Sequence, residues 1–283
     1  MVSKKLSLTA LALAAMACGK QTFLAAAFVQ TPSVPNPIIA SQPIPAFQVM
    51  TAYLGTIDTT SPTRIDAKKI GTVTGATAAV AFRHRKDPAA VASDADESRV
   101  LPIPEGSQPG MYLLSSKDQQ RLTYEQDVPY TLILQTPGAD TEAFGARMTP
   151  GPREGIQEFA STPVVDLALG KGFVVTRTDP AVPGGDRLPA FVLVGQIDPQ
   201  NPTAEPKVTF KTVPADATAL LKFVLSDRDY RWASYNVPAT AFAGGGYFIV
   251  SVLTVTTGKV SDNAFLGSTA LAATGAAGVV HVK

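Results

Sequence analysis

The sequence predicts an all-β fold: two consecutive antiparallel β-sandwich modules behind an export signal and a proline-rich tether. Three observations carry that prediction. The 283 residues hold 23 Pro and 22 Gly, which punctuate the chain from end to end. Charged residues are only 17%, too few for long salt-bridged helices, whereas 45% hydrophobic residues suffice for buried cores. Short runs alternating at period two recur between turn signals, at roughly 8–15-residue spacing, as sandwiches require.

The N-terminus comes first. Lys4 and Lys5 precede an apolar run from Leu6 to Ala17. Those twelve residues reach only ~18 Å as a helix, against the ~30 Å of a bilayer core. The segment therefore reads as a secretory signal, not a span. It ends Ala15-Met16-Ala17-Cys18-Gly19, with the only cysteine of the chain. This resembles the lipobox of bacterial lipoproteins. The resemblance implies cleavage before Cys18, acylation of its thiol, and a membrane anchor. Gly19 after the cysteine implies the outer membrane of the cell envelope under the sorting rule of that family. A solitary thiol in an exported protein is also accounted for by lipidation. The alternative is cleavage after the small residues Ala25-Ala26-Ala27, giving a soluble product, although Lys20 and Gln21 interrupt the apolar run upstream.

Residues 29–46 hold five prolines and no charge, which reads as a semi-rigid tether able to lift a body some ~50 Å. A strand-edge extension wrapped on the first module is the other reading. The expected organisation is then 1–17 signal, 18–46 anchored tether, 47–148 first module, 149–160 linker, and 161–283 second module. The linker is marked by Thr149-Pro150-Gly151-Pro152-Arg153-Glu154-Gly155.

Strands are expected at 47–57, 76–84, 99–103, 110–114 and 129–135 in the first half. In the second they fall at 172–178, 190–197, 207–213, 219–225, 247–257, 265–272 and 279–282. Only 156–160 and 216–221 have the pattern of a helical turn. Gly246-Tyr247-Phe248-Ile249-Val250-Ser251-Val252 resembles the penultimate strand of immunoglobulin-like and fibronectin type III-like modules. In those modules a Tyr near the start of that strand bonds back to the backbone at a corner.

Composition and motif exclude most chemistries. Lys+Arg of 24 against Asp+Glu of 23 leaves no basic excess for nucleic acid, and none to attach a membrane once Lys4 and Lys5 are removed. No cofactor is expected. Two His and one Cys are too few for zinc or haem. Asp94, Asp96 and Glu97, like Asp227 and Asp229, lack the glycine and oxygen count of a calcium loop. No metal site is therefore expected. No nucleophile motif surrounds a serine, and neither His84 nor His281 is given a partner. The basic run Arg83-His84-Arg85-Lys86 is expected to be neutralised by Asp87 and the acids at 94–97. The densest aromatic stretch runs from Asp229 to Tyr235. Tyr230, Arg231, Trp232 and Tyr235 form the candidate binding surface, or else close the bottom of a core.

The reading that follows is non-enzymatic: a lipid-anchored envelope protein of structural or adhesion type, binding other envelope proteins or a surface polymer. The alternative is an accessory lipoprotein that binds carbohydrate or another ligand through the Tyr230, Trp232 and Tyr235 loop.

Overall fold

The computed structural model describes residues 20–58, 70–85, 97–138, 141–178, 186–214, 219, 223, 226–265 and 267–283. Cys18 and the signal lie outside the described residues, as do Lys86, Asp87, Asp94 and Asp96. The first half contributes β1 (Lys20–Thr31), β2 (Phe47–Asp58), β3 (Ile70–Thr72), β4 (Thr77–His84), β5 (Glu97–Ile103), β6 (Met111–Ser115), β7 (Tyr130–Gln135) and β8 (Ala143–Met148). The second contributes β9 (Val164–Leu167), β10 (Phe173–Thr176), β11 (Ala190–Gln196), β12 (Lys207–Lys211), β13 (Ser234–Val237), β14 (Gly246–Thr257), β15 (Lys259–Val260) and β16 (Thr269–Val282).

The class is all-β, with predominantly antiparallel sheets. A large sheet runs β12-β11-β14-β16-β1-β2-β3, with β6 beside β3 on β2 and β9 beside β1 on β16. A second sheet runs β15-β8-β7-β4-β5, and β10 with β13 makes a two-stranded ribbon. Cross-strand partners share a face, so registers locate the cores. Even-numbered residues of β1 and β2, such as Leu24, Phe28, Met50 and Leu54, meet Val80, Leu132 and Phe144 of the second sheet. Farther along the same face, Phe248, Val250, Val280 and Val282 meet Phe173 and Val237 of the ribbon. The opposite face of the large sheet is covered where Phe223 packs on Phe191, Leu253 and Val255.

The division into two modules is drawn differently from the sequence expectation. β16 carries Ala270 and Ala272 into the first core and Ala276, Val280 and Val282 into the second. Its N-terminal part pairs with β1 in parallel, Ala25 opposite Thr269, and its C-terminal part pairs with β9, also in parallel. The first and last described strands of the chain are thus neighbours. The two sandwiches share one sheet.

Two further expectations are corrected. Residues 20–31 are not a tether but β1, an interior strand paired along its length with β2. Residues 32–46 form a loop between β1 and β2, closed on itself by the Val34–Ile44 bridge. Residues 149–160 are not a free linker. Pro150, Gly151 and Glu154 are buried. Thr256 Oγ1 donates to Thr149 O (2.6 Å) and Thr274 Oγ1 to Gly151 O (3.0 Å). A Cβ on Gly151 would lie 2.6 Å from Thr256 Cγ2, so any larger residue would displace Thr256. Polar hydroxyls of the long strands hold this segment in place of water.

The strand expected over 219–225 is also overturned at its two described positions, where Ala219 and Phe223 are helical. A single 3-10 turn, Gln157–Phe159, forms within 156–160. The corner tyrosine lies elsewhere than the sequence suggested. Tyr247 stacks on His281 with ring centroids 4.3 Å apart. Tyr130, at the start of β7, donates its hydroxyl to Thr123 O (2.8 Å) and accepts from Glu125 N–H (3.0 Å). It bonds to backbone a few residues upstream, which is the corner arrangement.

Candidate functional site

The aromatic loop is built around a buried charge. Arg177, just past β10, has no exposed surface. Its guanidinium grips Glu154 with Nε to Oε2 and Nη2 to Oε1, both 2.9 Å. Nη1 donates to Trp232 O (3.0 Å) and Nη2 to Leu188 O (2.7 Å). Trp232 lies over the guanidinium, 5.2 Å from its carbon. Arg187 adds a second cation to Glu154 at 3.1 Å. Burial pulls Arg177 below the ordinary guanidinium value, and Glu154 opposes that shift.

This geometry places each residue of the expected binding surface. Tyr230 meets Phe191 and Phe223 edge-on at 5.5 and 4.9 Å. Trp232 and Tyr235 pack on the second core and on each other, 5.5 Å between centroids. Arg231 is exposed but held by Asp227, at 2.8 and 2.7 Å, and donates to Arg187 O. The three rings are half-buried packing groups, so they do not present a free stacking platform. Trp232 and Tyr235 close the open side of the second core, whose covering strands are only two, while Tyr230 closes the cluster on the opposite face of the large sheet.

Asp87, Asp94 and Asp96, the acids expected to neutralise the basic run, lie outside the described residues; within them, His84 and the Arg85 backbone meet Glu125. His84 Nδ1 lies 2.6 Å from Glu125 Oε1, and Glu125 Oε2 accepts the Arg85 N–H at 2.9 Å. Glu97 pairs with Arg99 and Arg121. Those cations hold the Glu97 carboxyl below its usual value, with the Arg99 hydrogen bond the largest cause. His281 lies 3.1 Å from Asp166, which Lys283 also holds at 2.7 Å. Among the described residues no group of acids, His and Cys is arranged for a metal ion.

Two surfaces escaped the sequence reading. On the second sheet, Val100, Ala81 and Thr131 lie side by side on the outer face, and Pro102, Ala79, Ile133 and Gly145 form the next row. Val100 is 66% exposed and Ile133 41%. The only sequence signal was apolar residues at both parities of β5 and β7. The second surface is a groove of about 240 Å³ on the outer face of the large sheet. The loop after β1 and the hairpin between β11 and β12 lean together over it, and Asn36 Nδ2 reaches Pro202 O at 3.4 Å. A bulge at Val194 and Gly195 turns Val208 outward into the groove while Phe210 still packs on the second core. Nothing in the local pattern brings residues 32–47 to residues 203–208.

No protein-family model matches the chain, and no curated protein matches it. Among solved structures, it aligns with the N-terminal four immunoglobulin domains of Dscam1 isoform 7.44, at 9% identity and a TM-score of 0.19. The alignment covers 83% of this chain and 54% of that one, so the chain spans about half its length. A superposition this loose bears on neither fold nor function.

Proposed function

We propose that the protein is a non-enzymatic assembly component of the bacterial envelope, lipid-anchored through Cys18, that binds other envelope proteins. The observation that supports it is the apolar strip on the second sheet. Val100, Pro102 and Ile133 stand on a paired surface with small Ala79, Ala81 and Gly145 and with Thr131 among them, and Arg147 at its margin. Such a contiguous exposed patch is characteristic of a protein contact. The non-enzymatic reading rests on the sequence, in which no nucleophile motif surrounds a serine. Lipidation rests on the lipobox-like residues, and Gly19 favours the outer membrane. Because β1 begins at Lys20, an anchor on Cys18 would hold the body against the membrane rather than ~50 Å from it.

The test is a pair of measurements on one variant. Val100→Asp with Ile133→Asp should leave the denaturant melt within about 0.5 kcal/mol, since both side chains are exposed. Recovery of proteins from solubilised envelope should fall at least tenfold. Unchanged recovery refutes the surface. Mass spectrometry of the native protein checks the anchor separately. Residues 1–17 still attached, or a bare Cys18 thiol, refutes lipidation.

A further inference from the structure

We infer that the groove between the β1–β2 loop and the β11–β12 hairpin binds a medium-length alkyl chain with an anionic head. The site lies on the large sheet, apart from the apolar strip, and is independent of that proposal. Its floor is Leu193, Ile249 and Ala277; its walls include Val34, Ile44 and Val208.

The backbone decides against an extended peptide. The strands of the floor, β11, β14 and β16, have neighbours on both edges, so their amides are already paired. A peptide entering there would bury N–H and C=O groups against a floor whose own backbone is already paired, with the side chains of Thr31, Lys117, Thr203, Glu205 and Ser251 the polar groups of the lining. Each unpaired group would cost binding. A hydrocarbon chain has no such groups to satisfy. At roughly 30 Å³ per heavy atom, a groove of about 240 Å³ takes about eight methylenes.

The head is assigned by Lys117. Its ammonium sits 4.8 Å from the Phe47 ring centre, at the groove wall. Among the described residues it has no carboxylate partner, so a bound anion would supply one. Glu205 stands in the lining too, on the exposed hairpin, without a ring to hold it. Lys117 is exposed as well, but only its ammonium has a ring contact that places it at the wall, so the site favours an anionic head over a cationic one.

The experiment is calorimetric titration of the full chain with free fatty carboxylates from hexanoate to tetradecanoate, below their micelle concentrations. Affinity should rise roughly threefold to fourfold per added methylene and level off near decanoate. Lys117→Glu should weaken decanoate at least tenfold while leaving decanol unchanged. Val208→Asp, on an exposed wall, should weaken both without lowering the melting temperature. Affinity that does not depend on chain length overturns the inference, as does decanoate binding that survives both substitutions. Tighter binding of decylammonium than decanoate overturns the assigned head. Uptake from phosphatidylcholine vesicles with no binding of the free carboxylates overturns the inference also.

Discussion

The two cores on one face of the large sheet are closed by opposite means. Over the first, the five-stranded sheet supplies a complete second layer. Phe28, Phe82, Tyr124 and Tyr130 interlock there with centroids 4.5–4.7 Å apart. Its tyrosine hydroxyls are satisfied, locally at the Tyr130 corner and across the fold where Tyr124 meets Thr274. Over the second, the covering strands are only β10 and β13, helped by Phe242 and Ile156, and the open flank is sealed by Arg177, Glu154, Arg187 and Trp232. Two strands do not bury enough apolar area to stand alone. Here a charged cluster ties the ribbon to the 149–156 segment, to Leu188 and to the aromatic loop at once. Such a pair adds connectivity and register more than net stability, because desolvating the ions offsets much of their attraction.

The largest effect should come from breaking that cluster. Glu154→Gln leaves Arg177 buried without its anion, and should cost about 3–5 kcal/mol in a denaturant melt. Arg177→Met combined with Glu154→Leu should recover most of this, since no charge is then stranded. Costs that simply add would contradict the contrast between the lobes.

Trp232→Ala should cost about 2 kcal/mol, from a half-buried ring and its contact with the guanidinium. In the Arg177→Met, Glu154→Leu background the same substitution should cost measurably less. An undiminished loss would show that Trp232 works through packing alone.

On the first core, Tyr130→Phe should cost about 1–2 kcal/mol, by stranding Thr123 O and Glu125 N–H. The pH dependence follows the same atoms. Burial pushes the Tyr124 and Tyr130 phenols above their ordinary value, with the Glu125 charge adding to the shift at Tyr130. A raised phenol contributes stability that is complete below the unfolded value of ~10 and is lost as pH rises towards the native one. Stability should therefore fall above pH ~10, and less steeply in Tyr130→Phe. A slope unchanged by that substitution would remove Tyr130 from the account.

The smallest effect belongs to the exposed end of β16. Lys283, then His281, holds the Asp166 carboxyl below its usual value. A depressed carboxyl contributes above its unfolded value and loses that contribution as pH falls through the native one. Asp166→Asn should alter melts only marginally, and only above pH ~4, because solvent screens the pair. A large change would mean that the parallel β9–β16 joint depends on it.

Much of the strand set was legible. β4, β7, β11 and β14 alternate or run apolar between turn residues, and each lies within a few residues of its expected place. The 149–160 stretch was legible as a break in the pattern but not as a buried one. Its Pro and Gly look alike in a free linker and in a segment held by threonine hydroxyls. The aromatic loop was found as a cluster, but its role was open. Whether Trp232 is bare or capping depends on Arg177, 55 residues away. The groove and the apolar strip could not be read, since both are made of residues ordinary in any strand.

The sequence by itself determined that the chain is all-β and where most strands run. Those properties follow from alternation, turn residues and low charge, which act within a few residues of themselves. The tertiary structure alone decided that Lys20–Thr31 is an interior strand and that Thr269–Val282 is one continuous strand across both cores. Neither segment advertises this. The Ala and Gly of β16 lower its local strand propensity, yet a Cβ on Gly275 would lie 2.5 Å from Gln30 O, and one on Gly278 would meet the Phe159 ring. Small residues are required there because the strand is packed on both faces, and β1 pairs with a segment some 240 residues away. Side chains chosen for close approach carry no local signal. Their reason exists only once the distant partner is in place.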